Sequence, residues 1–188
     1  ADATLWDTIT PPGLTGTSST ISGVAINSLN DAIIAISATI RTLSLDNAPQ
    51  SRIFLSGDSG QNWREISGIT APNSSDADNR FNPSAATAIA FDPSSPAAVT
   101  DPQIIYVGCM AGIYVIRNAI APTADTVTEG SSFTPQWRTF NANMPLALIF
   151  DLEAVQYTDG DGQAKNLLRC ATHARGAYEC DLSRTPLV

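Results

Sequence analysis

Trp63-Arg64-Glu65-Ile66 has two counterparts in the chain, Trp6-Asp7-Thr8-Ile9 and Trp137-Arg138-Thr139-Phe140. Each opens on tryptophan and then places polar residues before a closing apolar one, as a short half-buried strand does. The sequence has 3 tryptophans, all in these segments, so they frame an internal repeat. The residues after each segment keep one order. A polar linker leads to an apolar run at 21–26, 88–91 and 148–155. A turn and a second run come next, at 32–38, 104–108 and 167–172, and then a third at 52–56, 112–117 and 176–181. Val, Ile, Tyr and Phe dominate these runs, and Gly, Pro, Asn and Asp separate them, which is how strands and turns read.

No stretch keeps a helical period. The alanine-rich segment at 85–90 is preceded by Pro83 and followed by Phe91-Asp92-Pro93, so it is expected to be a strand. The expected fold is therefore all-β: a β-propeller built of four-stranded antiparallel blades, each closed by a tryptophan segment. A β-sandwich shares short strands at regular spacing, but the repeat favours the propeller. The units run approximately 10–66, 67–140 and 141–188. The strand at 5–9 either completes the last unit or belongs to a preceding one. The Pro-, Thr-, Ser- and Gly-rich stretch at 122–135 is an insertion between third and fourth strands. Propellers have four to eight blades. About three blades therefore imply part of a larger propeller or half of a six-bladed dimer with closed two-fold symmetry, and a lone chain with an exposed apolar face.

Composition narrows the function classes. Of 188 residues, 43% are hydrophobic and 15% charged, enough apolar material for a core. Eighteen acidic residues against 10 basic ones give a net charge of -8, which repels phosphate backbones and anionic lipid. No apolar run approaches the ~20 residues that span a bilayer. The expectation is no nucleic acid partner and no membrane insertion. The start, Ala1-Asp2-Ala3-Thr4, lacks an initiator Met and a basic-then-apolar leader, so a removed signal peptide or a longer parent chain is expected. With Lys165 as the single lysine, this points to a secreted, periplasmic or cell-surface protein. Cys109, Cys170 and Cys180 are too few for a disulfide scaffold and have no metal-binding spacing.

Ser56-Gly57-Asp58-Ser59-Gly60-Gln61-Asn62-Trp63 fits the pattern S/T-x-D-x-G-x-x-W at the junction of a third and a fourth strand. An Asp there bonds backbone N–H groups ahead of it, and the Gly supplies positive φ. Asp58 is thus read as structural, with Ser56, Gly60 and Trp63, rather than as an acid or ligand. On this motif the chain resembles the Asp-box (BNR-repeat) propeller families: sialidases, xyloglucanase-type glycosidases, sortilin-type receptors and a photosystem II assembly factor. The full box occurs once. Thr172-His173-Ala174-Arg175-Gly176-Ala177-Tyr178 is similar to the T-x-G-R-G-x-Y/W ending of such propellers, with Ala174 in place of Gly.

The resemblance implies several activities, and the residues favour none strongly. A sialidase would need an arginine triad and an Arg-Ile-Pro motif, and the motif is absent. A retaining or inverting glycosidase needs two carboxylates across a cleft, about 5–5.5 or 6.5–9.5 Å apart. Asp151 and Glu153, two residues apart on one inner strand, are candidates for half of such a site. His173, the single histidine, has no Ser or Cys partner for catalysis and no companions for a metal. Asp159-Gly160-Asp161-Gly162 starts like a calcium loop, but Cys170 occupies position twelve, so a hairpin turn is expected and no metal.

The leading expectation is a non-enzymatic binding or assembly module, without cofactor, for a protein or carbohydrate partner. A glycoside hydrolase completed by residues outside the chain, and a structural component of a surface layer or filament, are the alternatives. The partner is expected on the rim formed by loops 41–50, 67–84, 141–147 and 173–175, through Asp78, Arg80, Phe81, His173 and Arg175. Cys170 and Cys180 are expected to oppose each other, within reach of a disulfide, if the last turn centres on Arg175.

Overall fold

The computed structural model describes residues 7–12, 14, 18–41, 50–68, 85–122 and 135–184, and the described residues contain strands and no α-helix. Among the described residues there are eleven strands in three antiparallel sheets. The first comprises β1 (Ser18–Asn27), β2 (Asn30–Arg41), β3 (Gln50–Ser56) and β4 (Arg64–Glu65). The second comprises β5 (Ala86–Phe91), β6 (Gln103–Cys109), β7 (Gly112–Ala119) and β8 (Trp137–Thr139). The third holds β9 (Ile149–Thr158), β10 (Ala164–Thr172) and β11 (Gly176–Asp181). Within each sheet, every strand pairs with its sequence neighbour. The runs read from the sequence lie on these strands, most of them lengthened at the ends; 176–181 is unchanged, and the run at 148–155 begins one residue before β9.

The strands of the middle sheet are apolar on both faces because that sheet is covered on both sides. Ile33, Ala35, Ile53 and Leu55 of the first sheet share one buried cluster with Ile89, Phe91, Ile105, Val107 and Trp137 of the second. A second cluster joins Ala88, Ala90, Tyr106, Ile113 and Val115 to Ile149, Leu152, Leu168 and Cys170 of the third sheet. Leading strands lie side by side, β1 by β5 and β5 by β9. Two glycines permit this approach. A Cβ at Gly23 would come within 2.9 Å of Ile89 Cγ2, and one at Gly108 within 2.8 Å of Ile149 Cβ.

Polar links cross the sheets where backbone groups would otherwise be orphaned. The Asn27 side-chain amide donates to Gln103 Oε1 at 2.8 Å and to the Pro96 carbonyl at 3.0 Å. The Ala86 N–H donates to Ser51 Oγ at 2.7 Å, and the Trp137 indole N–H to the Ile66 carbonyl at 2.7 Å. Thr87 Oγ1 donates to the Ile149 carbonyl, tying β5 to β9.

Two expectations change. In the last hairpin Thr172 pairs with Gly176, so the turn centres on Ala174 rather than Arg175. Cys170 therefore faces Tyr178, Cys180 faces Leu168, and no disulfide joins any of the three cysteines. The turn takes three residues, with Ala174 at φ 58 and Gly176 at φ 86, and this moves the register by two. Asp7, Thr8 and Ile9 are not in a strand, and Trp6 lies outside the described residues. Ile9 stands against the first sheet: a Cβ at Gly60 would lie 2.8 Å from Ile9 Cβ.

Candidate binding surfaces

The Ser56–Trp63 turn is closed upon itself. Asp58 Oδ1 accepts from the Asn62 N–H at 2.8 Å and the Ser56 hydroxyl at 2.9 Å, while Oδ2 accepts from the Asn62 amide at 2.6 Å. The Gly60 N–H donates to Ser56 Oγ, and the Trp63 indole to the Gly60 carbonyl, both at 2.9 Å. Ser59 and Gly60 take the positive φ the bend requires, 58° and 86°. Burial works to raise the Asp58 pKa, but the bonds from Asn62, Ser56 and Gln61 together hold it below the ordinary value. These bonds serve the turn itself. Asp159 behaves likewise in the β9–β10 turn, accepting from the Asp161 and Gln163 N–H groups. The hydrogen bond from Lys165, 2.9 Å away, leads in holding its pKa low.

Of the rim expected to bind, residues 42–49 and 69–84 lie outside the described residues; the linker at 141–147 and the turn at 173–175 are described, and the turn at 110–111 joins them. Asn141 fixes the linker to the β6–β7 turn: its Oδ1 accepts from the Ile113 N–H at 2.7 Å and its amide donates to the Ala111 carbonyl at 3.3 Å. The His173 N–H donates to the Leu148 carbonyl at 2.9 Å, which brings the last turn beside the linker. His173 packs edge-on against Phe150, ring centroids 5.6 Å apart. Leu146 is 72% exposed and Phe150 56%, and Met110, His173 and Arg175 are exposed with them. Asp78, Arg80 and Phe81 lie outside the described residues.

Sequence reasoning missed Phe150, which it placed within the apolar run at 148–155 and not among the binding residues. Asp151 pairs with Ala171 and Ile149 with Thr172, so Phe150 is the extra residue of a bulge and turns outward.

Asp151 and Glu153 are both exposed on the outer face of the third sheet. Asp151 accepts from the Leu152 N–H at 3.0 Å. Glu153 lies 4.0 Å from Arg169, which also pairs with Glu179 at 2.9 Å. A cross-strand row Glu153–Arg169–Glu179 results.

Neither candidate lines the groove of about 640 Å³ between the second and third sheets. One wall is Ile113, Val115, Arg117, Arg138 and Phe140; the other is Leu168, Cys170, Tyr178 and Cys180. Burial pushes the Cys170 thiol up, so it serves as an apolar wall. Among the described residues, no group of three or more His, Cys, Asp or Glu is placed to hold a metal.

No family model, curated protein or solved structure matches the chain.

Proposed function

We propose that the chain is a propeller-type binding or assembly module that acts without catalysis. Three consecutive antiparallel meanders, stacked face to face with their leading strands adjacent, support the blade reading. The observation that carries the binding reading is the rim: Phe150, Leu146 and Met110 stand exposed beside His173 and Arg175 on a hydrogen-bonded β scaffold. Aromatic and Arg anchors on rigid loops are what partners engage. The glycosidase alternative gains no support from Asp151 and Glu153, which lie on an open, ion-paired face.

The preceding blade in this reading covers the outer face of the first sheet. Ile21, Val24 and Ile26 of β1 are 46%, 55% and 57% exposed there. Closure of two copies into one six-bladed ring would set this stripe against the charged Glu153–Arg169–Glu179 row. Burying ion pairs against apolar side chains is costly, so the larger propeller is the better form.

The test is a panel of immobilised glycans and displayed peptides probed with the wild-type chain and with Phe150→Ala. Ligands weakened tenfold or more by Phe150→Ala support the reading, since losing an aromatic anchor costs about 2 kcal/mol. Ligands indifferent to it, or reducing sugar released from the glycans, overturn it.

A further inference from the structure

The groove of about 640 Å³ between the second and third sheets gathers positive charge in a protein whose net charge is -8. β7 contributes Ile113, Val115 and Arg117 to its wall, alternate residues on one face of the strand. Arg138 of β8 pairs with Val115, so it stands diagonally across from Arg117. Diagonal neighbours on adjacent strands lie about 7–8 Å apart, a gap that two arginine side chains close to reach one anion.

These two guanidinium groups have no counter-ion of their own. Arg52, Arg169 and Arg184 lie 3.1, 2.9 and 3.2 Å from carboxylates, and Arg64 donates to the Ile120 carbonyl at 3.1 Å. Among the described residues, Arg117 and Arg138 enter no ion pair. The acids that border the groove are engaged: Glu179 pairs with Arg169 and Asp181 with Arg184. Buried Asp92 accepts from the Tyr106 hydroxyl at 2.8 Å and the Ser94 hydroxyl at 2.6 Å. Arg117 is also half-buried. A half-buried charge beside apolar side chains is costly without a counter-ion, and an anion entering the groove relieves that cost.

The walls select the body of the anion. Ile113, Val115 and Phe140 stand on one side, and Leu168, Cys170 and Tyr178 on the other. Phe140 is held against Tyr106, ring centroids 5.2 Å apart. Apolar walls with an aromatic ring on each side suit a flat aromatic body. Two planar guanidinium forks match the two oxygens of a carboxylate. A phosphate monoester would bring a second charge between apolar walls, at a greater desolvation cost.

We infer that this groove binds a small aromatic carboxylate, with its ring between the two sheets and its carboxylate on Arg117 and Arg138. The site is separate from the rim, and the inference does not depend on the proposed function.

The test is isothermal titration calorimetry of the chain with 2-naphthoate. Saturable binding of one molecule per chain is expected, and the neutral analogue 2-naphthalenemethanol should bind about tenfold more weakly. Arg117→Gln and Arg138→Gln should each weaken 2-naphthoate about tenfold and leave the affinity for the alcohol unchanged, with thermal unfolding reporting that each variant is folded. Arg169→Gln, which removes a charge from the outer face, should change neither affinity. If Arg117→Gln fails to fold, Arg138→Gln and the comparison of acid with alcohol decide. Absence of saturable binding, equal affinity for acid and alcohol, or a loss in Arg169→Gln as large as in the groove variants would overturn the inference. Tighter binding of decanoate or of 2-naphthyl phosphate would overturn the aromatic carboxylate as the ligand.

Discussion

Asp58 and Glu65 sit on one short stretch of the first sheet and titrate in opposite senses. Asp58 is held low by turn donors, so its stabilisation is complete above the ordinary carboxylate value and is lost as pH falls through the lower folded one. Glu65 is raised, by burial first, against the charge of Arg52 3.1 Å away and a hydrogen bond from Ser67. Its folded form holds the proton longer, so stability declines as pH rises from the ordinary value through the raised one. Urea unfolding should show Asp58→Ala destabilised by about 1–3 kcal/mol at pH 7, with the deficit shrinking at pH 3. Glu65→Gln should gain on the wild type between pH 4 and pH 7. The Asp58 turn was legible in the sequence because donors and acceptors fall within a few residues. Phe150 was not, because a bulge is set by the strand across from it.

At the level of elements, register carries the information that periodicity lacks. Strand positions followed from apolar runs between turn residues, but the partner of Cys170 depended on a three-residue turn with non-Gly Ala174 in the left-handed region. Thiol titration under denaturing, non-reducing conditions should count three free thiols, as the structure has them. Ala174→Gly should raise stability by about 0.5–1 kcal/mol, because a Cβ is disfavoured at that φ. Gly108→Ala should lower it by about 1–3 kcal/mol, since the new methyl meets Ile149 on β9. Chemical denaturation reads both. The fourth strands, only two and three residues long, were found by their tryptophans rather than by any run of apolar residues.

In the whole molecule, the two outer faces of the stack differ in kind. The third sheet turns the row Glu153–Arg169–Glu179 outward, while the first turns Ile21, Val24 and Ile26 outward beside buried Ile34, Ile36 and Phe54. Sequence alone led to an uncovered apolar face because three blades cannot close. Which face it would be depended on the bulge at Ser22, where Ile21 pairs with Ala38 and Gly23 with Ser37. That bulge brings Ile21 onto the same side as Val24 and Ile26. In the proposed propeller this sheet has a neighbour there, and an exposed stripe of this kind on an isolated chain drives self-association. Light scattering on the folded chain at micromolar concentration tests this most directly. The account predicts a mass of at least two copies, falling to one in the Val24→Asp/Ile26→Asp variant; a well-folded wild-type monomer of 19.8 kDa would contradict it.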